Sequence, residues 1–141
     1  MRVVRVSCLG AVLAAAALAC NNSPTTPTGA PFSSTDLLVG SGTVAANGNT
    51  VTMNYTGWLY DSTKTDLKGL EFDTTTGGSS FVFVLGTGSV IAGWDQGIVG
   101  MRVGGRRRLV IPPSLGYGGQ RYATIPPNST LIFEVELVNV Q

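Results

Sequence analysis

Apolar and polar positions alternate with a period of two through most of the chain beyond Thr35. The clearest case is TLIFEVELVNV (130–140). Leu131, Phe133, Val135 and Leu137, with Asn139 in register, fall on one face, and Ile132, Glu134, Glu136 and Val138 on the other. Successive strand side chains point to opposite faces, so this spacing predicts a strand of an antiparallel sheet with one partly polar face. DLLV (36–39), TVTMNYTGWLY (50–60), FVFVL (81–85) and RRRLVIP (106–112) are rich in β-branched and aromatic residues and predict further strands. Turn-type residues, ANGN (46–49) and TTTGG (74–78), separate some of these runs. One stretch breaks the alternation. VIAGWDQGI (90–98) places one of the chain's two tryptophans among small residues and predicts a short helix over about Val90–Val99. The fold class is α+β: an antiparallel sheet with one short helix covering it.

The first residues read differently. Arg2 and Arg5 precede the uncharged apolar run Leu9–Ala19, and Ala17-Leu18-Ala19 supplies small residues at a cleavage point, as in a signal peptide (1–19). Cys20 then opens the remaining chain, which suggests an exported bacterial lipoprotein acylated at that thiol. Leu18 lies two residues before the cysteine, where three is usual, and secretion with Cys20 as a free thiol is the alternative. NNSPTTPTGAPFSS (21–34) is too polar to bury surface against its ordering entropy, so 20–34 predicts a flexible tether and 35–141 the folded domain. The expected location is the bacterial cell envelope, anchored in the outer membrane or on the periplasmic face. Asn21 supplies no Asp-type retention signal after the cysteine.

Composition removes several chemistries. Without the leader, seven basic residues face eight acidic ones, a net charge of −1 that gives no electrostatic reason to expect nucleic acid. There is no histidine, and Cys20 is the one cysteine after the leader. A Ser–His–Asp or Cys–His apparatus is impossible, and no metal site is expected. GTGSVIAG (86–93) has Ile91 where a dinucleotide loop needs its third glycine, and no phosphate-loop lysine is present. Asp73 and Asp95 sit near aromatic runs, a weak basis for a paired-carboxylate hydrolase. Any catalysis would proceed without nucleophile, metal or cofactor.

The aromatic residues are spread along the chain, and any one of them could be simple core. Taken with their neighbours, they carry a resemblance. NYTGWLYD (54–61), EFDTT (71–75), VIAGWDQGIVGMRVGGRRRLVIPPSLGYG (90–118) and IPPNSTLIFEVELV (125–138) together resemble the FKBP-type peptidyl-prolyl isomerases, in order and across about residues 36–141. The resemblance implies a curved antiparallel sheet wrapped around one short helix, with a ligand pocket between them. It places Trp94 on the pocket floor under a substrate proline, and Tyr55, Phe72, Phe81 and Phe133 in the walls. Val90 precedes the helix, the Ile91 N–H donates to a substrate carbonyl, Tyr117 supplies a hydroxyl, and Ile125 closes one side. Asp73 is placed at the pocket edge near the rotating bond; as a lone acid after Phe72 it could also cap a turn. One of Arg106, Arg107 and Arg108 is a possible partner for it. The implied partners are proline-containing segments of unfolded or exported proteins, with macrolides such as tacrolimus or rapamycin as inhibitors, and a monomer suffices. The rival reading is a proline-peptide-binding or chaperone module without turnover. Two departures border the pocket: the stretch from Tyr55 to Phe72 is longer than in compact members, and GGQRYATIPP (118–127) is slightly shorter and carries Tyr122.

Overall fold

The computed structural model describes residues 29–141. The leader, Cys20 and most of the expected tether lie outside the described residues. Six strands, β1 (Ser33–Leu38), β2 (Thr50–Tyr60), β3 (Lys68–Thr74), β4 (Phe81–Val84), β5 (Arg106–Ile111) and β6 (Leu131–Val140), accompany one helix, α1 (Ala92–Gly97). All strand pairings are antiparallel, in the order β1-β5-β6-β2-β3, with β4 also on β2. β4 pairs with Thr50–Met53 and β3 with Thr56–Tyr60, so the two divide one edge of β2 between them.

The period-two reading of β6 holds for the core. Leu131, Phe133, Val135 and Leu137 are all buried and meet Val51, Met53 and Leu109 in one cluster. Ile132, on the other face, is also buried, between Val110 of β5 and Trp58 of β2 in register, so that face is apolar at one end. Further along, it is polar. Lys68 Nζ and Arg108 Nη2 lie 2.8 and 2.7 Å from the same Glu134 oxygen, Oε1. The arginine run divides between faces, as strand geometry requires. Arg108 binds Glu134, while Arg107 turns to the helix side. There it binds Asp36 of β1 at 2.6 Å and donates to the carbonyls of Gly97 and Val99 at 2.7 and 3.2 Å.

Three elements depart from the sequence reading. β3 was not anticipated, because its pairing with β2 shifts register twice, between Gly57 and Trp58 and between Trp58 and Tyr60; the bulges erase the period-two signal. β1 begins at Ser33, and Phe32 packs against the core, so ordered structure starts inside the expected tether. The helix is six residues long, shorter than the span 90–99, since Ile91 has extended backbone angles (φ −58°, ψ 146°) and the helix begins after it.

The small residues around Trp94 now have a physical reason. A Cβ at Gly93 would lie 2.6 Å from Ile111 Cγ2, and one at Gly97 would lie 2.5 Å from Leu109 Cδ2. These glycines sit four apart on one face of α1, and their lack of side chains lets the helix lie directly on β5.

Candidate functional site

The concave face of the sheet and α1 enclose a cavity of about 240 Å³ whose floor contains Trp94. Trp94 is buried, and its Nε1 donates to no group among the described residues, so ring packing alone holds the indole. Three of its ring partners meet it edge-to-face, while Phe83 lies tilted at 5.7 Å and 47°. Tyr55 meets Trp94 at a centroid distance of 4.9 Å and 83°, and Phe133 meets it at 5.3 Å and 84°; Phe81 approaches at 6.0 Å and 75°. Phe72 in turn stands on Phe133 at 5.5 Å and 86°. This geometry suits ring quadrupoles and leaves the centre of the cup open. Gly57 makes the Phe72–Phe133 contact possible: a Cβ there would lie 2.7 Å from both rings.

The walls come from where the strands end. Tyr55 lies on β2 at the point where β4 has stopped pairing and β3 has begun, and Phe81 and Phe72 flank that gap from β4 and β3. Val90 and Ile91 line the cavity from the loop before α1. Asp95 fixes that loop: its two carboxylate oxygens accept from the N–H groups of Gly86 and Gly88 at 2.9 and 3.0 Å. The carboxylate thus has a structural partner set, and Asp73 and Asp95 do not form a catalytic pair. The Ile91 carbonyl accepts from Trp94 N–H at 2.9 Å, while its own N–H donates to no group among the described residues.

The polar side chains lining the cavity are those of Tyr55, Asp73, Ser89, Tyr117 and Tyr122. The Tyr55 hydroxyl donates to Asp73 Oδ2 at 2.6 Å. Burial, then this hydrogen bond and the neighbouring carboxylate charge, push the Tyr55 phenol well above the ordinary tyrosine value of 10. Tyr117 reaches the cavity from the loop after the short 3-10 turn Pro113–Leu115, and burial followed by the proximity of Tyr122 and Asp73 raises its pKa also. Both hydroxyls are therefore neutral donors at physiological pH.

Most of the expected residues converge here: Tyr55, Phe72, Asp73, Phe81, Val90, Ile91, Trp94, Tyr117 and Phe133 all line the one cavity. Two expectations are corrected. Ile125 belongs to the core rather than the cavity wall; N–H···O bonds exchanged with Tyr122 close a tight turn that leaves Ile125 buried. None of the three arginines pairs with Asp73, whose hydroxyl partner is Tyr55, because Arg107 and Arg108 have nearer carboxylates in Asp36 and Glu134. Sequence reasoning did not place Tyr122 in the site. It takes the rim position, stacked on Tyr117 at 4.2 Å and 6°. Its only signal was an aromatic residue in a loop already expected to border the pocket.

A family model described as FKBP-type peptidyl-prolyl cis-trans isomerase matches residues 42–138. The chain is 47% identical over 107 residues to FK506-binding protein 1 of Gibberella zeae, covering 75% of this chain and 95% of that one. It is 49% identical over 107 residues to the 46 kDa FK506-binding nuclear protein of Spodoptera frugiperda, covering 75% of this chain and 24% of the relative. The chain spans about a fifth to a quarter of the length of several such longer relatives. Among solved structures, FkpA from Escherichia coli superposes with a TM-score of 0.66 and 40% identity, covering 78% of this chain and 48% of that one. The expected location is corrected by these relatives. Fungal FK506-binding proteins and an insect protein named as nuclear point away from a lipid-anchored protein of the bacterial envelope, and membrane anchoring has no support from them.

Proposed function

The chain belongs to the FKBP-type peptidyl-prolyl cis-trans isomerase family, and we propose that its 35–141 domain accelerates rotation about X–Pro bonds in protein substrates through the Trp94 cup. The observation that carries this reading is the cup itself: edge-to-face aromatic walls around an open centre, with one carboxylate held by a tyrosine and no acid–base pair. The proline ring lies on the Trp94 indole, with Tyr55, Phe72, Phe81, Val90 and Phe133 around it. The Ile91 N–H and the Tyr117 hydroxyl donate to substrate carbonyls. Asp73 acts as a positioning residue, since its carboxylate fixes the Tyr55 hydroxyl. The same cup accepts macrolides such as tacrolimus and rapamycin.

The chemistry needs nothing more. Twisting an X–Pro amide loses resonance, a barrier of about 18–20 kcal/mol. The planar amide is more dipolar than the twisted one, so water favours the ground state; an apolar cup withdraws that preference and binds the twisted form better. A ten-thousandfold acceleration requires roughly 5 kcal/mol. Burying a ring and gaining one or two hydrogen bonds is of that order. No cofactor takes part.

Exchange NMR on a Leu-Pro peptide with a substoichiometric amount of the chain tests the reading. Strong cis–trans exchange peaks that weaken at least about tenfold in Trp94→Leu are expected. Peptide line broadening without exchange peaks would instead describe a binding module without turnover.

A further inference from the structure

Tyr122 is more than half exposed, yet it lines the same cavity as Trp94 and lies flat on Tyr117 with rings 4.2 Å apart and 6° from parallel. Every other ring pair in the cup is edge-to-face, tilted or, at Phe81–Phe83, stacked with 30° between planes. A ring lying flat with one face covered presents its other face outward. Its position is fixed by its own backbone: Tyr122 N–H donates to the Ile125 carbonyl at 3.1 Å and Ile125 N–H returns to the Tyr122 carbonyl at 2.8 Å. The turn holds Ala123 at φ 49°, a region that L-residues enter only when the surrounding structure imposes it. Ile125, at the far end of the turn, is buried in the core and anchors it.

We propose that Tyr122 is a specificity-determining residue, a planar platform at the rim that stacks on the side chain of the residue preceding the proline and selects aromatic residues there over branched aliphatic ones. The inference rests on the isomerase reading of the cup and adds the substrate class. With a proline ring on Trp94, the preceding residue leaves the cup toward the rim. That residue is confined to extended backbone angles by the proline, so its side chain departs in a fixed direction and gains from a platform already in place. Burial alone would rank leucine and phenylalanine similarly. A flat aromatic surface adds a ring–ring contact that leucine cannot make.

The test compares kcat/KM for two peptides differing only in Phe-Pro and Leu-Pro, using the full chain, Tyr122→Phe and Tyr122→Leu, with thermal melts to show that each variant is folded. The wild type is expected to favour Phe-Pro by roughly twofold to tenfold. Tyr122→Phe retains that ratio, and Tyr122→Leu brings it to about one, chiefly by lowering kcat/KM for Phe-Pro. An unchanged ratio in folded, active Tyr122→Leu, or a wild type that prefers Leu-Pro, overturns the platform and leaves the isomerase reading standing. Absence of acceleration on both peptides by the wild type would remove that reading and the platform with it.

Discussion

The Tyr55 hydroxyl and the Asp73 carboxylate meet at 2.6 Å across the β2–β3 pairing, where Gly57 is the register partner of Asp73. The contact joins the two strands that carry Tyr55 and Phe72, at the edge of the cup. Its consequence for titration has a definite sign. The neutral phenol is favoured in the folded state, so its stabilisation is complete below the ordinary value of 10 and is lost as pH rises through the higher folded value. Absorbance at 295 nm is therefore expected to show the Tyr55 and Tyr117 phenolates forming later than free tyrosine while the chain remains folded. Tyr55→Phe removes the most resistant of these steps. Ordinary titration of every tyrosine in folded protein would contradict the contact.

The Glu134 cluster makes the opposite prediction on the acid side. Burial raises the Glu134 carboxyl, but hydrogen bonds from Lys68 and Arg108 and their charges outweigh it, and the net value falls below the usual 4.5. Stability from this group is present above 4.5 and lost as pH falls through the lower folded value. Glu134→Gln is expected to cost about 1 kcal/mol in urea unfolding at pH 7, the upper end for a partly exposed ion pair. The gap should be smaller at pH 3 than at pH 7. A gap of equal size at both pH values would assign the cost to packing instead.

Arg107 ties α1 to the sheet through the Gly97 and Val99 carbonyls and, through Asp36, to β1. Arg107→Ala is expected to lower stability by about 2 kcal/mol, as for charged hydrogen bonds at a helix end. Lysine lacks the planar fork needed to reach all three acceptors and restores only part of this. Full recovery in Arg107→Lys, read from denaturant midpoints, would show that charge alone matters.

Alanine at Gly93 or Gly97 sets two effects against each other. Helix propensity favours the change by up to about 1 kcal/mol, whereas forcing a methyl against Ile111 or Leu109 costs about 1–3 kcal/mol. The clash wins, and both variants are expected to melt at lower temperature than the parent. A raised melting temperature would mean that the helix can move off β5 without penalty.

Much of this was legible in the residues, and the exceptions have causes. The alternation of β2 and β6 survives because their central pairing runs in register over many residues, and the run around Trp94 was specific enough to place the cup. β3 was hidden by two bulges. The burial of Ile125 and the exposure of Tyr122 are set by one turn whose reciprocal bonds no period expresses. The role of Asp95 was invisible for a similar reason: its partners are backbone N–H groups, which carry no residue signature.

The most direct measurement is cis-to-trans relaxation of a Leu-Pro peptide in a protease-coupled assay, run with and without stoichiometric rapamycin. A catalysed rate that rapamycin abolishes is the predicted result and places turnover in the Trp94 cup. Relaxation at the uncatalysed rate in the presence of demonstrably folded protein would contradict it.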